Sequence, residues 1–185
     1  MIMMNTSAII AGGIAVSLEQ ILTARERRAA RQSAALARFE QPLVSMTVVM
    51  PGPVKDGLLP RRVLEVAAWE LNALAASSNW PVLSREVLWP ETGPEAIYVI
   101  AAEPELLKSA AVELEDQHPL GRLWDLDVIA PGPRLLSRKQ LSVPARRCLV
   151  CERPAFECGR SRRHPVEELL GAIRRVVSEH DLCSN

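Results

Sequence analysis

The order in which hydrophobic periodicity switches along this chain is the feature that most limits its fold. Leu43 to Met50 is rich in β-branched residues and stopped by Pro51, which reads as a central strand. Arg61 to Asn79 then repeats apolar residues at helical spacing through Val63, Val66, Ala67, Leu71 and Leu74. Val82 to Trp89 and Ala96 to Ala101, on either side of Pro90-Glu91-Thr92-Gly93-Pro94, predict a hairpin. Pro104 suits a helical first turn, and Leu106 to Asp116 continues that helix. Leu123 to Ala130 is the last long strand, with Arg134 to Leu136 a short partner beyond Pro131-Gly132-Pro133. Between Leu43 and Ile129 the order is therefore β, α, β, β, α, β. That is the split, ferredoxin-like arrangement, so the expected class is α+β, with helices covering one face of an antiparallel sheet.

Two further helices flank this unit. Ser17-Leu18-Glu19-Gln20 has the form of a capping box and starts a helix that ends before Pro42, with Arg25 to Arg31 as its solvated face. Pro165 to Leu182 carries Val166, Leu169, Leu170, Ile173, Val176 and Val177 on one stripe, a C-terminal amphipathic helix packed on the core. A chain of 185 residues, 48% of them hydrophobic, fits one domain: residues 14–143 as an α/β core and 144–185 as a Cys/His-rich knuckle with the last helix. The apolar stretch from Ala8 to Val16 lacks a basic flank and is too short to span a bilayer, so a packed or frayed tail and no membrane are expected. With 22 basic against 22 acidic residues and 4% aromatics, nucleic acid is not an expected partner, since it needs a positive field and exposed rings. Three of the four cysteines crowd with a histidine between positions 148 and 164, which points to a metal and a reducing compartment, the cytoplasm.

Two segments carry chemistry. In His118-Pro119-Leu120-Gly121-Arg122-Leu123-Trp124-Asp125-Leu126-Asp127-Val128-Ile129 a turn enters a strand. Alternation sends Asp125 and Asp127 to one face and Trp124, Leu126 and Val128 to the other. Two strand steps separate the acids by roughly 6.5 Å, close enough to hold divalent cations together. A pair of solvated acids on a β-edge is the other reading of such a motif. Cys148-x2-Cys151-x6-Cys158-x5-His164 supplies three thiolates and an imidazole, the set that closes a tetrahedral zinc shell. Its six-residue gap also admits reduced, buried cysteines. With all four ligands from protein, such a zinc is structural, and its task is to fix an arginine-rich loop. That loop holds Arg146, Arg147, Arg153, Arg160, Arg162 and Arg163 against Glu152 and Glu157, a formal net of +4, suited to a phosphate-rich ligand or an acidic protein. Cys183 reads as a free thiol.

The run Pro144-Ala145-Arg146-Arg147-Cys148-Leu149-Val150-Cys151, with Glu152 to His164 after it, the turn and strand above, and Pro51-Gly52-Pro53-Val54-Lys55-Asp56 upstream, resembles the citrate lyase holo-acyl-carrier-protein synthases. These are phosphoribosyl-dephospho-coenzyme-A transferases, and the resemblance runs from about Ala15 to near the C-terminus. It implies an enzyme that moves triphosphoribosyl-dephospho-coenzyme A onto a serine of the citrate lyase acyl carrier protein and releases diphosphate. Such nucleotidyl-type transfer needs charge neutralisation and in-line positioning. Asp125 and Asp127 are then the expected magnesium ligands. Lys55, Gly121, Arg122, Arg146 and Arg147 are candidates for the triphosphate, the arginines because a guanidinium grips phosphate through two parallel hydrogen bonds. His118 is the candidate base for the serine hydroxyl, a surface or capping histidine being the alternative. The spacing departs from polymerase-like nucleotidyltransferases, which leaves Glu113 or Glu115 to be tested as a third acid. Two other functions stay open: the equivalent transferase for the carrier subunit of malonate decarboxylase, and a non-catalytic zinc-knuckle binding module.

Overall fold

A computed structural model describes residues 13–183, with side chains through Asp181. The residues before Gly13 and the Cys183 thiol lie outside the described residues. The elements are α1 (Leu18–Phe39), β1 (Leu43–Val48), α2 (Leu58–Ser77), β2 (Val82–Leu88), β3 (Glu95–Ile100), α3 (Pro104–Gln117), β4 (Trp124–Ala130), β5 (Arg134–Leu136), α4 (Ala155–Ser161) and α5 (Val166–Cys183). The five strands form one antiparallel sheet in the order β2-β3-β1-β4-β5. The class is α+β.

The local signals act as their chemistry requires. Ser17 Oγ accepts from the Gln20 amide at 3.2 Å while Gln20 Oε1 accepts from the Ser17 amide at 2.7 Å, so two of the orphan donors opening α1 are satisfied reciprocally. Glu40, in the left-handed region, closes the helix by donating its amide to Leu36 O. α2 starts three residues ahead of its apolar periodicity because Pro60 sits in the first turn, where no amide partner is needed. α4 was not foreseen.

One face of the sheet buries the main core: Val44 and Met46 of β1, Tyr98 and Ile100 of β3 and Trp124, Leu126 and Val128 of β4 meet α2, α3 and α5. The other face is covered as well, which corrects the expectation of helices on one face only. Leu36 of α1 packs on Leu43, Ile97 and Val99. Arg28 and Arg31, expected in solvent, instead pair with the buried Glu95, Arg28 at 2.7 Å, and Gln32 donates to Ser45 Oγ at 2.8 Å. The cause lies in β3, whose six residues are all buried. A strand without alternation needs cover on both faces.

β4 alternates as expected, with Trp124, Leu126, Val128 and Ala130 buried. Its outer edge is unusual. β5 pairs only with Val128 to Ala130, so the outward backbone groups of Trp124 and Leu126 have no strand beside them. Side chains take that place: Glu115 Oε1 accepts from the Leu126 amide at 2.8 Å, Lys108 Nζ donates to Leu126 O at 3.0 Å, and Arg146 donates to Trp124 O. Lys108 and Glu115 are themselves buried, seven positions apart on the inner stripe of α3.

Replacing Glu115 by Ala is expected to lower stability by about 3–5 kcal/mol, because it orphans a buried amide and removes the buried acid that pairs with Arg138 and faces Arg146, leaving those arginines only the more exposed Asp116 and Asp125. Glu115→Gln, which keeps the acceptor, should lose less. Urea unfolding of the two variants gives the comparison, and equal losses would remove the edge-pairing role.

Candidate active site

Asp125 and Asp127 stand opposite Thr47 and Ser45 of β1, on the face that α1 covers, at the strand edge β5 leaves open. They share a cleft of about 680 Å³ with Lys108, Glu115, Arg138, Lys139 and Arg146. Asp125 is half-exposed and accepts from Arg146 at 3.1 Å. Asp127 has an exposed tip and no hydrogen-bond or ion-pair partner among the described residues. Burial of its surroundings, with the like charge of Asp125 second, pushes the Asp127 carboxyl above the usual range, against the pull of Lys108 and Arg28. Two adjacent carboxylates, one of them without a partner, fit a divalent cation that also takes oxygens from a ligand.

Glu115 organises the cationic wall. One oxygen holds the Leu126 amide and the other pairs with Arg138 at 2.6 Å, while Arg146 lies 3.8 Å away. Both oxygens are thus engaged by protein, so of the two acids considered as a third ligand this one reaches the cleft only as a support. Glu113 faces elsewhere, accepting from Gln117 at 2.9 Å. Arg138 and Arg146 each bury an Nε with no hydrogen-bond partner among the described residues, so the protein does not satisfy the two guanidinium groups fully.

The other candidates are dispersed. Lys55 donates to Met50 O in a separate hollow of about 160 Å³ with Arg25, Arg28 and Thr47. Thr47 is the residue in register with Asp125, so this hollow and the acidic pair lie on one sheet face. Burial, helped by Arg25, lowers the Lys55 pKa. Arg122 stands beside Arg146 and Arg138, its pKa lowered first by burial and then by those two charges. Gly121 is buried, and a Cβ there would sit 2.5 Å from the carbonyl oxygens of Leu114 and Glu115; the glycine permits a close approach of backbones. Arg147 is exposed and paired with Glu152, away from the cleft lining. His118 is not brought to the acids. It stacks on the core-facing Trp124 at 4.4 Å and accepts from the Leu120 amide at Nδ1, while its own backbone amide caps α3 by donating to Leu114 O. Burial lowers its pKa.

Lys108, Arg138 and Lys139 were missed by the sequence reading. Lys108 and Glu115 had a signal, two charges on the apolar stripe of a helix, where unpaired charges do not persist. Arg138 and Lys139 had a weaker one, since Ser137 and Gln140 form a second capping box around a short 3-10 turn.

Cys148, Cys151, Cys158 and His164 gather so that their donor atoms lie within 4.8 Å of one another. Cys151 and Cys158 sulfurs are 3.6 Å apart, and His164 Nε2 is 3.3 Å from Cys151 Sγ. Tetrahedral bonds of zinc length would separate sulfurs by about 3.8 Å and sulfur from nitrogen by about 3.5 Å, so the cluster has the size of a metal shell. His164 Nδ1 meets Glu168 at 3.1 Å, the outer carboxylate contact that orients metal-binding imidazoles. A backbone hydrogen bond from Arg153, then His164, draws the Cys151 thiol down to about 7, whereas burial lifts Cys158 to about 11. The cluster also positions the cleft: the Arg147–Pro154 bridge and the Ala155 amide on Arg146 O at 2.8 Å fix the backbone from which Arg146 reaches Trp124 and Asp125.

No helix among the described residues is long and apolar enough to cross a membrane. A profile of the apo-citrate lyase phosphoribosyl-dephospho-CoA transferases matches residues 16–180, a span that holds the acidic pair, the cationic wall and all four Cys/His donors. The chain is 44% identical over 170 residues to the apo-citrate lyase phosphoribosyl-dephospho-CoA transferase of Escherichia coli O7:K1, covering 92% of this chain and 93% of that protein. The protein of the same name from Shigella boydii serotype 18 is similar to the same extent. The chain belongs to the apo-citrate lyase phosphoribosyl-dephospho-CoA transferase family.

Proposed function

We propose that this protein transfers the phosphoribosyl-dephospho-CoA group from a triphosphoribosyl-dephospho-CoA donor to a serine of the apo acyl carrier subunit of citrate lyase. The observation that carries the reading is the adjacent pair Asp125 and Asp127 at an open strand edge, in a cleft whose other charged residues, Glu115 aside, are Lys108, Arg138, Lys139 and Arg146. The serine Oγ forms a bond to the α-phosphorus, the bond from that phosphorus to the diphosphate oxygen breaks, and the electron pair leaves with diphosphate. The hydroxyl proton passes to water at the cleft mouth, a step that does not call on His118.

Magnesium held by Asp125 and Asp127 would supply charge neutralisation for the triphosphate oxygens. Arg146 and Arg138 offer planar, paired donors to non-bridging oxygens, and Lys108 and Lys139 add point charges. Lys55, with Arg25 and Arg28, supports the reading as a second cationic bank on the same sheet face. Zinc is the metal proposed for the Cys/His cluster, where it would crosslink the loop that bears Arg146. Relatives named for citrate lyase favour its carrier over that of malonate decarboxylase. The cytoplasm, where thiols stay reduced, is the compartment proposed for this cluster of free cysteines.

Mass spectrometry of the apo-carrier, incubated with donor and magnesium, should show the added group together with diphosphate in solution. Asp125→Asn and Asp127→Asn are each expected to lower the transfer rate by about 10²–10³-fold, since charge stabilisation is the main contribution asked of the protein. Wild-type rates in both variants would take the acids out of the site.

Asp127→Asn should at the same time raise the thermal midpoint at pH 7. Its folded pKa lies above the unfolded one, so the penalty is absent where the group is protonated in both states and present once both are ionised. The gain should be small, on the order of 1–2 °C, because solvent at the exposed tip screens the charge, and it should vanish below the ordinary carboxylate range. A loss of stability at neutral pH would contradict the burial argument.

Elemental analysis of the purified protein should return about one zinc per chain. Cys158→Ser should lower both the zinc content and the thermal midpoint, while a metal-free wild type of unchanged midpoint would refute the zinc assignment.

A further inference from the structure

The Cys/His cluster carries charge that the cleft does not use. Arg153, Arg160, Arg162 and Arg163 are all exposed, none lines the cleft, and none has an ion-pair partner among the described residues. Their backbone is nonetheless fixed. The Cys148 amide donates to Arg153 O at 2.8 Å and the Arg163 amide to Cys158 O at 3.1 Å, so the four guanidinium groups leave a scaffold anchored on the cluster. The same scaffold turns another side toward the chemistry, where Ala155 and Phe156 of α4 line the cleft.

At that boundary Phe156 is 56% exposed and Leu135, across the cleft mouth on β5, is 54% exposed. Two large apolar side chains at the entrance, one of them on the same short segment as the unpaired arginines, supply the ingredients of a protein interface: apolar contacts, polar surroundings and an excess of arginine. The small-molecule donor is a poor match for the rim, because Lys108, Arg138, Lys139 and Arg146 inside the cleft would already meet its triphosphate. An acceptor serine has the opposite requirement. Its hydroxyl must enter the cleft while the body of its protein stays outside, against whatever surrounds the mouth.

We infer that the arginine face of the knuckle is the docking surface for the acceptor protein, which meets it with an acidic face beside its serine and rests apolar contacts on Phe156 and Leu135. This inference rests on the transferase reading for the identity of that protein. The unpaired arginines steer the acidic face to the mouth, and because rim charges act mainly on association, they set the affinity for the acceptor more than the rate of the chemical step.

The test uses the full-length protein, the purified apo acyl carrier subunit of citrate lyase and the triphosphoribosyl-dephospho-CoA donor. The double variant Arg153→Glu/Arg160→Glu should raise the KM for carrier by about tenfold or more, with kcat and the KM for donor within about twofold of wild type. Raising NaCl from about 50 to about 300 mM should raise the wild-type carrier KM and leave that of the double variant nearly flat. Arg160→Ala/Arg163→Ala, a milder change, should move the carrier KM in the same direction with zinc content and thermal midpoint unchanged, which separates docking from folding. An unchanged carrier KM, or a rise in donor KM alone, would overturn the proposal. Fluorescence anisotropy of labelled apo-carrier reads docking without turnover. Tight binding by the wild type that the arginine variants weaken, with no transfer, would remove the transferase reading and keep the docking surface. Equal binding by wild type and variants would remove the docking surface whatever the transfer assay shows.

Discussion

The unpaired edge of β4 between Trp124 and Leu126 is the constraint on which the rest of this structure turns. A sheet that ends in backbone donors and acceptors without partners is costly when that edge is partly buried, and it also invites pairing with another chain. A longer β5 would close it and leave no cleft. Here β5 stops at Leu136, and Glu115, Lys108 and Arg146 each reach one outward backbone group in its place. Those three side chains satisfy the edge and charge the cleft with the same atoms. The hydrogen-bonding demand of the sheet and the charge of the cleft coincide at this one place.

The charges are arranged so that each acid next to the edge is either spent or available. Glu115 is spent: one oxygen holds an amide and the other an arginine, and its burial is tolerable only because of them. Asp125 shares Arg146, and Asp127 has no partner at all among the described residues. An unpartnered carboxylate beside another acid is destabilising for the protein alone, and a protein retains such a group where a ligand relieves it. The cations follow the same division. Arg138 is held by Glu115 and Asp116, whereas Lys139 is exposed on the cleft lining.

Much of this was legible in the sequence, for reasons that differ from element to element. Ser17 and Gln20 announced α1, and the alternation through Trp124, Asp125, Leu126 and Asp127 announced which face of β4 would bear the acids, because both depend on residues adjacent in the chain. What α1 packs on depends on Glu95, more than sixty residues away, so Arg28 and Arg31 read as a wet face until the partner was known. A clue was present in Ala96-Ile97-Tyr98-Val99-Ile100, an apolar run without alternation, which requires cover on both faces. For His118 the sequence left a base and a capping residue both open. Its neighbours in sequence are those of the acidic strand, but strand entry turns its ring toward Trp124 and the core face.

The Cys/His cluster shows how a group remote from the acids bears on their surroundings. Arg146 lies only two residues before Cys148, and its carbonyl is held by Ala155 across the small loop that the cluster closes. Its guanidinium reaches Trp124 O and Asp125 from there. A long side chain alone would be a poor means of fixing a charge at an edge, since ordering it costs rotamer freedom for every bond it makes. Anchoring the backbone two residues away reduces the part of that cost borne by the side chain, and it ties the position of one cleft arginine to the integrity of four Cys/His side chains that do not line the cleft. Loss of the cluster should therefore reach the acids through Arg146 before it reaches the sheet, because β4 keeps Glu115 and Lys108 on Leu126 even when Trp124 O is released.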